Sequence, residues 1–221
     1  MSIVVRGCHI GEGRPKVIIP IVEMTESKIL ERAFEFSRLR VDCVEWRVDW
    51  FEQCIDARSV VSCLQKLRVA LKDKLLLVTF RTENEGGEAS LTHQEYLDFI
   101  NMIIDADCAD LIDIEFFTAG DDIRELIDNA HSSGVVVVCS SHDFQKTPDK
   151  NELVSRMVKM QQVGADLPKV AVMPHDSTDV LTLLAATVEM KDNILLLLLL
   201  QSVWLDLVLP ADCVERYLGL Q

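Results

Sequence analysis

Positive charge is scarce in this chain. Its 22 Lys and Arg stand against 36 Asp and Glu, leaving a formal charge of −14 and an isoelectric point near 4.7. Nucleic-acid binding needs a cationic face, so that class is excluded. No apolar run approaches the ~20 residues of a membrane-spanning helix. The opening MSIVVRGCHIGEGRPK also lacks the apolar core of a secretory signal. Seven cysteines occur without a CxxC pair, an odd number. A reduced compartment uses cysteine in that way, as a small buried hydrophobe, so a cytoplasmic location is expected. No HxH or HExxH spacing links His9, His93, His131 and His175, which argues against a metal site. Nor does a GxGxxG follow the first apolar run, which weakens a dinucleotide-binding reading.

What remains is a chain of 221 residues, 49% hydrophobic, enough for one large domain over residues 1–221. Short apolar runs lie at 16–22, 42–48, 75–80, 111–116, 135–141 and 169–173. Between them, helix-periodic stretches occupy positions near 26–39, 57–71, 93–106, 121–132, 150–163 and 177–191, as in Leu153, Met157 and Met160. Strands this apolar must be covered on both faces, which predicts a parallel sheet wrapped by helices. A doubly wound sheet and a (β/α) barrel both satisfy the alternation. The barrel is favoured because Glu45, Arg47, Arg81, Glu115 and His142 gather at or just beyond strand ends, the rim where barrel enzymes build their sites. Residues 1–14 are expected to form a small hairpin or cap. The linkers TENEGGEAS (82–90) and HDFQKTPDKN (142–151) are long enough to fold over the barrel mouth.

The chemistry concentrates in SSHDFQKTP (140–148) and DLPKVAVMP (166–174). The first places His142 just past an apolar strand, and the second plants Lys169 at the edge of another. A lysine aimed into an apolar interior loses hydration, so its pKa is expected to fall and its neutral amine to attack a ketone. A neighbouring imidazole could then move protons. Blander readings stand beside this one. A lysine is almost never fully buried, and His142–Asp143 could be a loop turn closed by a local hydrogen bond. Glu45 and Arg47, two apart on one strand face, could form a structural ion pair. Glu115 reads as an interior partner for a cation.

The chain resembles the type I 3-dehydroquinate dehydratases of the shikimate pathway. The resemblance is carried by GEGRPKVIIPIV (11–22), VEWRVDWF (44–51), LLLVTFRTENEGGE (75–88), DLIDIEFF (110–117), SSHDFQKTP and MQQVGADLPKVAVMP (160–174), and it runs to about VLTLLAATVEM (180–190). It implies a (β/α)8 TIM barrel, a homodimer, no metal or organic cofactor, and dehydration of 3-dehydroquinate to 3-dehydroshikimate. It implies Lys169 as the imine-forming lysine, His142 as general acid and base, and Glu85 as the acid that orients the histidine. Glu45, Arg47 and Arg81 match substrate-contacting positions. Two departures, Ser141 in SSHDF and His175 in MPH, remove none of these groups. Competing readings are a catalytically dead fragment that acts by binding a partner, and another imine-forming barrel enzyme such as an aldolase.

After residue 193 the resemblance stops, and the barrel is expected to be truncated after its sixth β/α unit. The tail ILLLLLLQSVWLDLVLPADCVERYLGLQ stands where the family supplies its last two strands, with a carboxylate-binding arginine in a GxxSRxxGxxFGSA segment. Read one base out of frame, codons for Pro210–Gln221 can encode S-R-L-C-G-E-I-F-G-S-A, and those for Leu198–Trp204 can encode I-I-T-I-S-M. A one-base slip near residues 194–197 is therefore expected. The chain as written is expected to be poorly soluble or inactive, because an unclosed barrel exposes strand edges.

Overall fold

The computed structural model describes residues 2–190 and the backbone of 197–200. The reading-frame question falls largely on residues outside those described. At the N-terminus β1 (Ile3–Val5) and β2 (Cys8–Ile10) pair antiparallel. Their two-residue turn, Arg6–Gly7, has positive φ at both positions (46° and 75°), the backbone that matches the twist of a tight hairpin. Of the hairpin or cap expected over residues 1–14, a hairpin is what forms.

Six strand–helix units follow. They are β3 (Ile18–Ile21) with α1 (Glu26–Phe36), β4 (Cys43–Arg47) with α2 (Ala57–Leu71), and β5 (Leu75–Thr79) with α3 (His93–Asp105). Next comes β6 (Leu111–Glu115), followed by the short α4 (Phe116–Ala119) and then α5 (Ile123–Ser132). The last two units are β7 (Val136–Asp143) with α6 (Lys150–Gln162) and β8 (Leu167–Val172) with α7 (Ser177–Met190). All strands from β3 onward are parallel and lie in chain order. The leucine run then supplies one more strand, β9 (Leu197–Leu200), parallel to β8 in the register Lys169↔Leu197. A purely apolar run suits a parallel strand covered on both faces. Among the described residues no ladder joins β9 to β3. The sheet is a curled, parallel (β/α) sheet of the TIM-barrel kind.

Helix starts follow the sequence closely. Thr25, Asp56, Thr92 and Asp149 cap α1, α2, α3 and α6 by accepting a backbone N–H, and Thr92 with Glu95 forms a reciprocal capping box. Three strand ends differ from expectation. Val48 and its neighbours turn into a single 3-10 turn (Val48–Trp50), and Phe116 opens α4. In the other direction, β7 runs on through His142 and Asp143, because β8 begins at Leu167 and pairs with both.

Alternation along the strands sorts side chains into two cores. Val44, Trp46, Leu76, Val78, Ile112, Ile114, Val137 and Val170 face the helices and join the larger one. The opposite faces point into the barrel. Their early positions, Cys43, Leu75, Leu77, Leu111, Val138 and Leu167, form a separate apolar layer, packed against Ile3, Val5, Cys8 and Ile10 of the hairpin. The hairpin thus plugs one end of the barrel. The later inward positions are polar: Glu45, Arg47, Thr79, Arg81, Asp113, Glu115, Ser140, His142 and Lys169.

Asp110 ties the plug to the sheet. Its carboxylate accepts from Arg6, from Arg68 at 2.6 Å and from the Leu76 N–H at 2.9 Å. Asp110→Ala leaves Arg68 without that carboxylate in a half-closed site, and should destabilise the chain by about 3 kcal/mol. The check is the midpoint of urea unfolding. An unchanged midpoint would mean that the hairpin is held by its apolar face alone.

Candidate active site

Lys169 is the third residue of β8 and lies on the interior face, 2% exposed. The expectation of an apolar pocket around it is overturned. Its Nζ lies 3.0 Å from Asp113 Oδ2 and 3.6 Å from Glu45 Oε1. The reason is topological, since the neighbouring inward positions at this height carry polar groups. Glu45 is itself held by Thr79, whose hydroxyl donates to Oε1 at 2.7 Å. Glu45 and Arg47 do not make the ion pair considered from their spacing. Arg47 instead donates both Nε and Nη2 to Asp49, each at 2.8 Å, in a bidentate fork.

Arg81 is 3% exposed and sits below the rim. Its Nη1 donates to Glu115 at 2.8 Å and to Ser140 Oγ at 3.0 Å, and its Nη2 lies 2.9 Å from Asp113. Glu115 is thus the interior partner of a cation. It also accepts from Thr82 N–H, Thr82 Oγ1 and Thr118 Oγ1 at 2.9, 2.7 and 2.6 Å. Asp113, fully buried, accepts from Ser140 Oγ as well as from the two cations. Burial opposes its charge, but Arg81 and Lys169 outweigh burial and hold its carboxyl well below the usual carboxylate range.

His142 meets Glu85 at the mouth. Its Nδ1 lies 2.7 Å from Glu85 Oε2, and its backbone N–H donates to the same oxygen at 3.1 Å. An oxygen that already accepts from an amide favours Nδ1–H as the second donor, which leaves the lone pair of Nε2 free for chemistry. Burial, reinforced by Arg81 and Lys169, holds the imidazole well below 6.5. Burial together with Glu115 pushes the Glu85 carboxyl up to about 8. A proton kept by that carboxyl belongs on Oε1, since Oε2 is engaged by both donors. The local turn considered for His142–Asp143 also exists, but Asp143 makes it, accepting from the Gln145 and Lys146 N–H groups at 3.0 Å.

Two glycines allow the loops to meet over this pair. A Cβ on Gly87 would fall 1.8 Å from the Arg81 carbonyl oxygen. One on Gly86, where φ is +82°, would fall 2.3 Å from the Phe144 ring. Phe144 in turn stacks on His142, with centroids 6.2 Å apart and planes at 12°. Segment 82–90 therefore packs against 142–151, and Glu88 N–H reaches Asp49 at 3.2 Å. Of the other described histidines, His93 lines the same cavity as Glu85 and His142 but is engaged by Asp122 at 2.8 Å. His175 lies against the Gln145 carbonyl at 2.8 Å, and His131 pairs with Asp166 at 2.8 Å.

A family model described as type I 3-dehydroquinase matches residues 17–197. The chain belongs to that family. It is 48% identical over 187 residues to the 3-dehydroquinate dehydratase of Bacillus subtilis, covering 85% of this chain and 73% of that protein. Identity to the 3-dehydroquinate dehydratase of Salmonella typhimurium is 42% over 192 residues, covering 87% and 76%. Among solved structures, a type I 3-dehydroquinate dehydratase from Clostridium difficile with covalent modified comenic acid superposes at a TM-score of 0.86 with 41% identity, covering 90% of this chain and 79% of that one. The Enterococcus faecalis enzyme gives 0.85 with 40% identity, covering 90% and 83%. Family membership supports dehydration of 3-dehydroquinate in the shikimate pathway.

The six site residues expected from the sequence, Glu45, Arg47, Arg81, Glu85, His142 and Lys169, all converge on the barrel interior and mouth. Sequence reasoning missed Asp113, Asp49, Ser140 and Thr79. Alternation offered a signal for Asp113, because it lies two residues before Glu115 and so on the same face of β6. Spacing marked Asp49 as a partner for Arg47 no less than Glu45, since each lies two residues from it; the 3-10 turn at Val48–Trp50 decides between them.

Glu85 makes stability depend on pH with a definite sign. Its folded pKa of about 8 lies above its ordinary 4.5, so the folded state holds the proton more tightly. That contribution is complete below pH 4.5 and is lost as pH rises to 8. His142 has the opposite sign, its folded pKa lying below 6.5, so its contribution is present above pH 6.5 and lost as pH falls below that. Between pH 6.5 and 8 the Glu85 slope stands alone within this pair. Unfolding free energy should decline across that window, and Glu85→Gln should flatten the decline. Equal slopes for the two chains would refute this.

Proposed function

We propose that this chain dehydrates 3-dehydroquinate through an imine formed on Lys169. The reading is carried by one observation: a buried lysine on the interior of a barrel, below a histidine whose Nδ1 is held by a carboxyl and whose Nε2 has no hydrogen-bond partner among the described residues. The covalently modified ligand of the Clostridium difficile relative supports a reactive group in the family's site.

Each step follows from the chemistry. The Lys169 ammonium gives up a proton and its amine adds to the substrate ketone; that proton then returns to the carbinolamine hydroxyl, which leaves as water and gives an iminium. His142 Nε2 removes the proton alpha to that carbon, and the released electron pair moves onto nitrogen to give an enamine. Without the iminium the same electrons would form an unassisted enolate. The enamine pushes its electrons back and expels the beta-hydroxyl, which takes the proton held by His142 and leaves as water. A second water then hydrolyses the iminium and frees Lys169. A positioned base of this kind contributes ~10² to 10⁴ in rate. Glu85 keeps Nδ1 engaged, so the same ring nitrogen serves both proton transfers. Arg47 is 21% exposed, and in this reading it meets the anionic substrate with the part of its fork that Asp49 leaves free. The match to type I 3-dehydroquinase over residues 17–197 favours this reading over an aldolase.

Borohydride added with 3-dehydroquinate should produce one reduced adduct, mapped by mass spectrometry to Lys169. Lys169→Ala should give none. His142→Ala should still form the adduct, with turnover lower by ~10² to 10⁴. An adduct on another residue would overturn the assignment.

Beside the poor solubility or inactivity expected of an unclosed barrel, the tail bears on substrate affinity. The family match ends at residue 197, beside the expected frame slip, and the carboxylate-binding arginine implied by the resemblance belongs to the segment beyond. Losing one hydrogen-bonded charge partner of a carboxylate costs about 2–5 kcal/mol. This chain should therefore need far more substrate for the same adduct yield than a version whose codons after residue 197 are read one base out of frame. Equal yields at equal concentration would show that the arginine is supplied elsewhere. Reading the gene's nucleotides at codons 194–197 tests the slip itself.

A further inference from the structure

Asp113 belongs to none of the roles assigned so far, yet it is the charged group nearest the reacting nitrogen. The elements of the β4–β7 side each bring a charged or titratable group toward Lys169: Asp113 from β6 at 3.0 Å and Glu45 from β4 at 3.6 Å, with Arg81 beyond β5, His142 from β7 and Glu85 from the 82–90 loop. The described part of β9, on the other side, is leucine alone. Among the described residues, only Asp113 makes a direct hydrogen bond to Nζ. Ser140, paired in register with Lys169, and Arg81 hold its two oxygens in place.

We infer that Asp113 is the counter-ion of the imine, keeping the Lys169 nitrogen protonated after condensation so that it can act as the electron sink. An amine that condenses with a ketone loses two of its hydrogens to water in the neutral imine. The iminium keeps one N–H and a full positive charge, and Asp113 Oδ2 is where that N–H points. A neutral imine accepts electrons poorly, so a carboxylate that favours the protonated form raises the rate of proton abstraction without itself moving a proton. Asp113 suits this role because Arg81 and Lys169 keep it ionised, and a group that stays ionised cannot compete with His142 as the acid. Glu45 is further away and is already engaged by Thr79, so its contribution is smaller.

This inference rests on the imine reading, and the experiment separates the two. Cyanoborohydride reduces the protonated imine and spares the neutral one. Trapping by the full chain with 3-dehydroquinate is followed from pH 6 to 9 in the parent, in Asp113→Asn and in Glu45→Gln, with the fold of each checked by circular dichroism. The parent should trap across most of the range. In Asp113→Asn the alkaline limb should move about 1–3 pH units lower, as expected for loss of an opposite charge within 4 Å, and in Glu45→Gln it should move less. A purely structural role would lower trapping equally at every pH and overturns the inference, as does a limb that coincides with the parent's. If the parent gives no adduct, the imine reading falls and this inference with it. If Asp113→Asn does not fold, the parent labelled with 15N-lysine decides at equilibrium with substrate and product: the imine nitrogen should keep its protonated shift to pH 9, and a neutral shift at pH 8 overturns the inference.

Discussion

Two cations inside a barrel are the constraint around which this site is arranged. Removing a guanidinium or an ammonium from water costs several kcal/mol for each ion. Arg81 and Lys169 are both almost fully buried. The cost is offset by carboxylates whose lone pairs are themselves occupied. Asp113 serves both cations and Ser140, and Glu115 serves Arg81, Thr82 and Thr118. Take away Asp113 and two charges lose a partner at once. The network therefore fixes where Lys169 points before any substrate arrives.

The same barrel interior does two unrelated jobs, divided along its axis. The early inward positions are apolar and are sealed by the hairpin, so water is excluded from below and the strands are held by ordinary hydrophobic packing. The late inward positions carry the charges. Stability and chemistry are thus assigned to opposite ends of the same strands, the arrangement usual for barrels of this class. It also explains why the site tolerates so much buried charge: the apolar layer and the helix-facing core supply the folding free energy that the charged layer does not.

At the mouth, the histidine and its acid are driven apart in acidity by one environment. Burial disfavours the charged form of both, which lowers His142 and raises Glu85. At neutral pH this leaves an uncharged ring with a free Nε2 and a carboxyl that can still hold a proton. Tight loop packing maintains the arrangement, because Gly86 and Gly87 let the 82–90 segment lie against Phe144 and the Arg81 backbone. Side chains at either glycine would lift Glu85 away from the ring.

The periodicity of the chain determined the β/α alternation, and single residues determined its punctuation: side-chain acceptors at Thr25, Asp56, Thr92 and Asp149 cap helices, and Arg6–Gly7 turns the hairpin. These depend on residues close together in sequence, whose propensities and spacing act locally. The motifs also named the six residues that converge at the site, since strand ends in a barrel must meet at one rim. Tertiary structure alone decided who pairs with whom. Arg47 turned to Asp49 rather than Glu45, Lys169 met Asp113 rather than an apolar wall, and Arg81 was drawn below the rim by Glu115 and Asp113. The pairings of Lys169 and Arg81 depend on the register between strands 30 to 60 residues apart, and that of Arg47 on the 3-10 turn that swings Asp49 back two residues on. All rest on Coulomb forces that act over a few ångströms in space whatever the separation along the chain.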